Sequence, residues 1–188
     1  MKPVISGFDA ETMAESDTTL LLRALGQEPT ADKIAKLSPW RFAAPLSPDM
    51  AAAREGRDID FDALSRFCGD AIGSFQGVTL IEGVGGVMVP LTDSKTVVDW
   101  ILALKVPAVL VVGSYLGTLS HTLTAHAVLT QRSIPVAAVV ISESEENPVP
   151  LAETGATLTR FLSGCRILSI ARNESGDGLA RELFSGAA

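Results

Sequence analysis

The sequence is poor in the residues that build disulfide frameworks and metal clusters. Its 188 residues include only two cysteines and two histidines. Cys68 and Cys165 lie far apart with no metal-type spacing, which favours reduced, structural thiols over a disulfide framework. His121 and His126 are five positions apart and therefore point to different sides of a helix. We do not expect these histidines to bind a metal.

Long apolar runs and an excess of basic charge are also missing. No apolar run approaches the roughly 20 residues needed to cross a bilayer, so no membrane association is predicted. The first residues lack the apolar segment and cleavage site of a signal peptide, and we therefore place the protein in the cytoplasm. The net charge of -7 at pH 7 opposes binding along a nucleic-acid backbone. The length and composition of the chain predict a single globular domain over residues 1–188.

Short apolar runs alternate with helical patterns along the chain. Continuous apolar runs at 78–81, 108–112 and 136–141 are typical of parallel strands that are buried on both faces. The remaining predicted elements are helices at 17–25, near 50–55, 61–72, 96–104, 117–131, 151–161 and near 179–184, and a weak strand at 167–170. This alternation predicts an α/β fold with a doubly wound, mostly parallel sheet.

The most informative stretch is residues 78–86, VTLIEGVGG, where an apolar run ends in a carboxylate and a glycine-rich turn. A charge at the end of a buried strand needs a partner, so we expect Glu82 to meet a cation. Ligands of open parallel sheets gather outside the carboxyl ends of the strands. Glu82 and the amides that follow it would therefore face a bound molecule. The alternative interpretation is a surface glycine turn after a strand.

Several short motifs follow one another in a characteristic order. They are Lys2-Pro3-Val4-Ile5-Ser6-Gly7, Ser16-Asp17, Ser47-Pro48, Glu55-Gly56-Arg57, Glu82-Gly83-Val84-Gly85-Gly86, Asp99-Trp100 and Gly117-Thr118-Leu119-Ser120-His121. In this order they resemble the dethiobiotin synthetase family, from residue 1 to about residue 141. The resemblance implies a fold of the phosphate-loop NTPase type. No G-x-x-x-x-G-K-[ST] loop occurs in the sequence, so we expect that the first strand, phosphate loop and first helix are absent through a late start site or a truncated gene.

The reaction that this resemblance implies is an ATP- and Mg²⁺-dependent ring closure in biotin biosynthesis, catalysed by a ligase that forms C–N bonds. The substrates would be 7,8-diaminopelargonic acid, CO₂ or bicarbonate, and ATP as co-substrate, and the product would be dethiobiotin. Both chemical steps gather negative charge at one point, so catalysis would depend on positioned cations and amides. The resemblance also implies a homodimer.

The resemblance assigns roles to individual residues of the first half. Lys2 would be the catalytic lysine, and Ser6 would contact the diamine or the carbamate. Asp17 and Glu82 would hold Mg²⁺, a hard ion that prefers oxygen ligands. The predicted nucleotide-binding set is Asp17, Glu82, Gly83, Val84 and Gly85. The alternatives are a solvated terminal lysine for Lys2, a turn residue for Ser6 and a helix-start residue for Asp17.

A second site is predicted where a helix begins at Gly117, directly after an apolar strand. The free amides of such a helix start can bind an anion. The resemblance implies that this site receives the carboxylate of the substrate across a twofold dimer interface. The predicted substrate-binding residues there are Gly117, Thr118, Leu119 and Ser120. A simple N-capping role is the alternative for Ser120.

Two segments depart from the family pattern. Ser142-Glu143 stands where the family often has an asparagine-aspartate pair that recognises adenine, and Ile170-Ala171-Arg172 lacks the usual proline. The nucleotide base preference therefore stays open. Two other interpretations also stay open: a fragment of a cobyrinate-type amidoligase, and a noncatalytic remnant that dimerises or binds substrate.

Overall fold

The computed structural model describes residues 1–9, 11 and 13–184, and it divides into two compact units, Met1–Leu104 and Lys105–Ala188. Each unit combines parallel strands with helices, so the predicted α/β class is confirmed. The doubly wound arrangement and the single domain stay predictions. Among the described residues, no helix is long and apolar enough to cross a membrane.

The first unit places short strands and helices in the following order. They are β1 (Val4–Ser6), a 3-10 turn (Met13–Glu15), α1 (Asp17–Ala24), α2 (Ala31–Leu37), β2 (Trp40–Phe42), α3 (Pro48–Arg54), α4 (Phe61–Ser74) and α5 (Val97–Leu104). The helices predicted at 17–25, 50–55, 61–72 and 96–104 are confirmed as α1, α3, α4 and α5. Helix α2 and strand β2 were not predicted.

Local capping signals explain where several of these helices begin and end. The Ser16 side chain accepts a hydrogen bond from the Thr19 N–H at 3.3 Å and caps α1. Asp60 accepts from the Ala63 N–H at 2.8 Å and caps α4 in the same way. Gly56 follows α3 with a φ of 62°, a left-handed conformation that favours glycine after a helix.

Strands β1 and β2 are parallel, with Val4 opposite Trp40 and Ser6 opposite Phe42. Helices α3, α4 and α5 and the loop residues Ile59 and Leu91 contribute the other buried side chains of this core, which removes apolar surface from water. The buried members are Val4, Phe42, Ala51, Ala52, Ile59, Leu64, Cys68, Leu91, Val97 and Trp100. The core therefore fixes the position of β1, which ends at Ser6 and begins two positions after Lys2.

The prediction of a buried strand at 78–81 is wrong. Val78 and Leu80 are 47% and 60% exposed, and no strand is assigned to this segment. The backbone is nevertheless extended alongside Met1. The Met1 nitrogen donates to the Leu80 carbonyl at 2.6 Å, and the Glu82 N–H donates to the Met1 carbonyl at 2.9 Å. These two bonds are the pattern of a single parallel bridge, which positions Glu82 beside the first residues without burying the run.

The second unit has one parallel sheet with the strand order β3-β4-β5. Its elements are β3 (Ala108–Val112), α6 (Thr118–Gln131), β4 (Val136–Ser142), α7 (Leu151–Phe161), β5 (Ile167–Ile170) and α8 (Asp177–Phe184). The strands predicted at 108–112, 136–141 and 167–170 and the helices predicted at 117–131, 151–161 and 179–184 are confirmed. The predicted burial of the strand at 108–112 on both faces is wrong, because β3 lies at the edge of this sheet and Val111 is 63% exposed. Val139, Ile141, Leu158 and Leu162 form the buried centre of this unit.

Candidate active site

Three charged side chains of the first unit meet at one point. The Lys2 ammonium lies 2.5 Å from Asp17 Oδ2 and 2.8 Å from Glu82 Oε1. Lys2 precedes β1, Asp17 begins α1, and Glu82 follows the extended run at 78–81. The structure thus brings together three of the residues predicted for catalysis and metal binding. The expectation that Glu82 meets a cation is confirmed, and that cation is Lys2.

The three side chains differ in their exposure to solvent. The Lys2 side chain is 12% exposed, whereas those of Asp17 and Glu82 are 52% and 51% exposed. The interpretation of Lys2 as a solvated lysine is therefore wrong, and so is the premise that Glu82 is buried. Burial alone would lower the pKa of the Lys2 ammonium, but the hydrogen bonds and charges of Asp17 and Glu82 outweigh it and hold the pKa above its ordinary value.

Neutral hydroxyl groups fix the backbone of Lys2 relative to α1. The Ser38 hydroxyl donates to the Lys2 carbonyl at 2.6 Å, and it also hydrogen-bonds to the hydroxyl of Thr18. Thr18 and Ser38 are both buried, and Thr18 is the neighbour of Asp17 in α1. These hydrogen bonds connect the backbone at Lys2 to helix α1, which carries Asp17, and so help to fix the ammonium relative to that carboxylate.

Ser6 ends β1 on the same short segment as Lys2. Its Oγ atom is buried and has no hydrogen-bond partner among the described residues. A buried hydroxyl without a partner carries a free-energy cost, and a bound ligand or water can remove it. This observation fits the predicted contact with a polar substrate group better than the alternative of a turn residue.

The glycine loop begins directly after Glu82. Gly85 has a φ of 68°, and a Cβ atom built there would lie 2.8 Å from the Val89 side chain. Both facts require glycine at this position. Val84 packs against the core of the first unit, whereas Gly85 and Gly86 are exposed. The loop is therefore anchored at its start and open to solvent at its tip.

The amino end of α6 in the second unit is the other predicted site. Gly117 is the N-cap residue with a φ of 102°, so the alternative of Ser120 as the cap is wrong. Thr118 is buried. Its hydroxyl donates to the Gly113 carbonyl at 2.6 Å, and its N–H donates to the Tyr115 carbonyl at 3.1 Å. The N–H groups of Leu119 and Ser120 belong to the first turn, where the helix itself offers no acceptor.

Known proteins match this chain over most of its length. A profile of a family described as an AAA domain matches residues 1–174. The chain is 52% identical over 163 residues to the ATP-dependent dethiobiotin synthetase BioD of Acidiphilium cryptum, which covers 86% of this chain and 73% of that protein. It is 44% identical over 177 residues to the BioD of Methylobacterium nodulans, which covers 92% of this chain and 78% of that protein.

This chain belongs to the ATP-dependent dethiobiotin synthetase family. A third BioD, from Caulobacter sp. strain K31, is 46% identical over 181 residues, covering 94% of this chain and 75% of that protein. The family predicted from the ordered motifs is confirmed, and so is the class of enzyme, an ATP-dependent ligase of biotin synthesis. The roles of individual residues stay predictions.

The sequence patterns did not predict a cleft of about 630 Å³ in the first unit of this chain. Its lining residues are Phe8, Asp9, Pro39, Arg41, Phe42, Ala43, Glu55 and Arg57. Glu55 accepts from the Ala43 N–H at 2.7 Å and from Arg57 at 3.0 Å. These bonds hold the pKa of the Glu55 carboxyl below its ordinary value. The sequence signal that could have indicated this cleft is the Glu55-Gly56-Arg57 motif, in which opposite charges flank a glycine that adopts a left-handed conformation.

The residues present fit the Mg²⁺ ion that the sequence predicts, and that ion stays a prediction. Asp17 and Glu82 already direct one carboxylate oxygen each at the same cationic group. Carboxylate oxygens are the donors that Mg²⁺ prefers, and it usually keeps several waters and phosphate oxygens as further ligands. Among the described residues no group of three acidic, histidine or cysteine side chains could hold a metal, so two protein carboxylates are the largest donor set found.

Proposed function

We propose that this chain catalyses the ATP- and Mg²⁺-dependent closure of 7,8-diaminopelargonic acid and CO₂ to dethiobiotin. Family membership supports the class of reaction. The observation that supports these substrates at this site is the meeting of Lys2, Asp17 and Glu82, because it combines a shielded ammonium with two oxygen donors for a metal.

The proposed chemistry begins with a carbamate. One amine of the substrate adds to CO₂ and loses a proton, and a carbamate oxygen then attacks the γ-phosphorus of ATP while ADP leaves. The second amine attacks the carbonyl carbon of the resulting mixed anhydride and loses a proton, and phosphate leaves as the ring closes. Each step concentrates negative charge on oxygen, so preorganised positive charge lowers both barriers.

The side chains of the first unit match these needs. The Lys2 ammonium would neutralise the carbamate and the transferring phosphoryl group, and its raised pKa keeps it charged at neutral pH. The Ser6 hydroxyl, which lacks a partner, would hydrogen-bond to the diamine or carbamate end. Mg²⁺ bound by Asp17 and Glu82 would supply positive charge to the phosphate oxygens. The amides of Gly83, Val84 and Gly85, of which only Gly85 is an exposed residue, would approach the nucleotide.

The amino end of α6 would bind the carboxylate of the substrate within a homodimer. The first-turn amides of Leu119 and Ser120 and the helix dipole favour an anion there. Gly117 and Thr118 would shape this site, since one provides the left-handed entry and the other is tied to Gly113.

An assay of product formation tests this proposal. The purified chain is incubated with 7,8-diaminopelargonic acid, bicarbonate, Mg²⁺ and ATP, and dethiobiotin is measured by mass spectrometry together with phosphate release. Lys2→Met should lower kcat by about 10² to 10³, the usual cost of losing a group that stabilises developing charge. Lys36→Met, at an exposed position of α2, is the matched control and should retain activity.

Two results would contradict the proposal. One is folded wild-type protein that forms no dethiobiotin, which would favour the noncatalytic remnant. The other is full kcat in Lys2→Met, which would remove the proposed role of the ammonium. Far-ultraviolet circular dichroism of each variant establishes that the fold is retained.

A further inference from the structure

We propose that Lys2 is the resident counterion of Asp17 and Glu82, and that a divalent cation displaces its ammonium from the two carboxylates. This inference rests on the proposed function, since it assumes that these carboxylates hold the metal. It adds a coupling between metal binding and the catalytic lysine. The lysine becomes available to an anionic substrate group only after the metal has taken over its carboxylates.

The burial of the three side chains supports such an exchange. The Lys2 side chain is 12% exposed, whereas the side chains of Asp17 and Glu82 are about half exposed. A cation that arrives from solvent therefore meets Asp17 and Glu82 before it meets Lys2. The carboxylates can begin to bind the incoming ion while they still contact the ammonium.

The distances make simultaneous binding unfavourable. Asp17 Oδ2 and Glu82 Oε1 both lie within 2.8 Å of the Lys2 nitrogen. A Mg²⁺ ion contacts its oxygen ligands at roughly 2.0–2.1 Å, so an ion shared by the same oxygens would lie close to the space that the ammonium occupies. A divalent ion and an ammonium a few ångströms apart repel each other strongly in a partly buried site.

The exchange requires movement of the Lys2 side chain alone. The Lys2 carbonyl is held by the Ser38 hydroxyl at 2.6 Å, and the Met1 carbonyl is held by the Glu82 N–H at 2.9 Å. The four-carbon stem of lysine has several rotatable bonds, and its ammonium forms hydrogen bonds in many directions. The backbone can therefore stay in place while the ammonium leaves the carboxylates for an incoming anion.

Binding of Mn²⁺, used as a probe for the divalent ion, tests the exchange without any turnover. Free Mn²⁺ is measured by electron paramagnetic resonance with wild type, Lys2→Met and the control Lys36→Met. We expect Lys2→Met to bind Mn²⁺ about tenfold more tightly, because the competing cation is removed from both ligands. The control removes the same charge from an exposed position of α2 and should bind as wild type does.

The outcomes separate this inference from the proposed function. Wild-type binding that is lost in Asp17→Asn and Glu82→Gln, but unchanged or weaker in Lys2→Met, overturns the exchange and leaves the metal site intact. Mn²⁺ binding that does not depend on Asp17 and Glu82 overturns the metal site and the exchange together. Circular dichroism of each variant verifies the fold.

A second measurement needs no variant. The wild-type protein is acylated with an amine-reactive ester in the presence and absence of Mn²⁺, and labelling at Lys2 is quantified by peptide mass spectrometry. Displacement from the carboxylates should increase the labelling rate of Lys2 severalfold, with Lys36 as the internal reference. An unchanged or reduced rate would overturn the exchange.

Discussion

Ser114 and Ser144 form reciprocal hydrogen bonds, in which the side-chain hydroxyl of each serine accepts from the backbone N–H of the other. The Ser114 N–H donates to the Ser144 hydroxyl at 2.9 Å, and the Ser144 N–H donates to the Ser114 hydroxyl at 2.8 Å. The two serines follow the adjacent parallel strands β3 and β4, so the pair ties together the carboxyl ends of these strands. A Cβ atom on Gly113 would lie 2.7 Å from the Ser144 hydroxyl, which leaves no room for a larger residue there.

We expect Ser114→Ala to lower the free energy of unfolding by about 1–3 kcal/mol, because it leaves the Ser144 N–H without its acceptor at a part-buried site. Urea denaturation followed by circular dichroism measures this change. Ser163→Ala, at an exposed serine of the same unit, should change the free energy by less than about 0.5 kcal/mol. Equal effects of the two substitutions would show that the reciprocal bonds do not stabilise the unit.

Two glycines provide a matched pair of opposite predictions. Gly117→Ala should destabilise the protein by about 1–2 kcal/mol, because the φ of 102° at this N-cap is unfavourable for any residue with a Cβ atom. Gly69→Ala should stabilise it by about 0.5–1 kcal/mol, since Gly69 lies inside α4 with open space around its Cβ position. Thermal unfolding of both variants measures the change in Tm. A change in the same direction for both would contradict these predictions.

The carboxylate of Glu55 should make stability depend on pH in the acid range. Hydrogen bonds from the Ala43 N–H and from Arg57 lower its pKa in the folded state from an ordinary value of 4.5. The ionised carboxylate therefore stabilises the folded state fully above about pH 4.5. This stabilisation is lost as the pH falls through the lower pKa that Glu55 has in the folded state. The difference in Tm between wild type and Glu55→Gln should be largest at neutral pH and should shrink on acidification.

Glu28→Gln serves as the control for this experiment, because Glu28 is an exposed glutamate of the same unit. A Tm difference for Glu55→Gln that stays constant from neutral to acid pH would contradict the predicted linkage.

The Cys68 thiol should be inert in the folded protein. It is buried in the core of the first unit, and burial raises its pKa to about 12. In a Cys165→Ser variant, which leaves Cys68 as the one thiol of the chain, an aromatic disulfide reagent at about pH 8 should react slowly in buffer and rapidly in denaturant. Rapid reaction in buffer would show that the core opens around α4.

Elements with local signals could be predicted from the sequence. The cap residues Ser16 and Asp60 and the left-handed Gly56 mark helix ends through contacts within a few positions. Strand β2 was missed because it has three residues, Trp40–Phe42, with a charged arginine in the middle, and it exists only through its pairing with β1. The run at 78–81 shows the opposite error, since an apolar composition predicts an extended backbone but not a neighbouring strand to bury it.

The candidate site was only partly accessible to sequence reasoning. Lys2 and Glu82 are 80 positions apart, and their proximity follows from tertiary structure that no local pattern contains. The expectation that Glu82 meets a cation rests on the premise that Glu82 is buried. In the structure the Glu82 side chain is half exposed, and its partner Lys2 is the buried member of the pair. The missing hydroxyl partner of Ser6 and the Thr18–Ser38 hydrogen bond depend on side-chain packing, which the sequence alone does not specify.

The hydroxyl groups of Thr18 and Ser38 also bear on protein engineering. They connect the backbone of Lys2, which precedes β1, to α1, which begins at Asp17, and neither hydroxyl carries a formal charge. A transplant of the three ionic residues onto another scaffold would therefore lose the alignment of the site unless these two uncharged residues were copied with them.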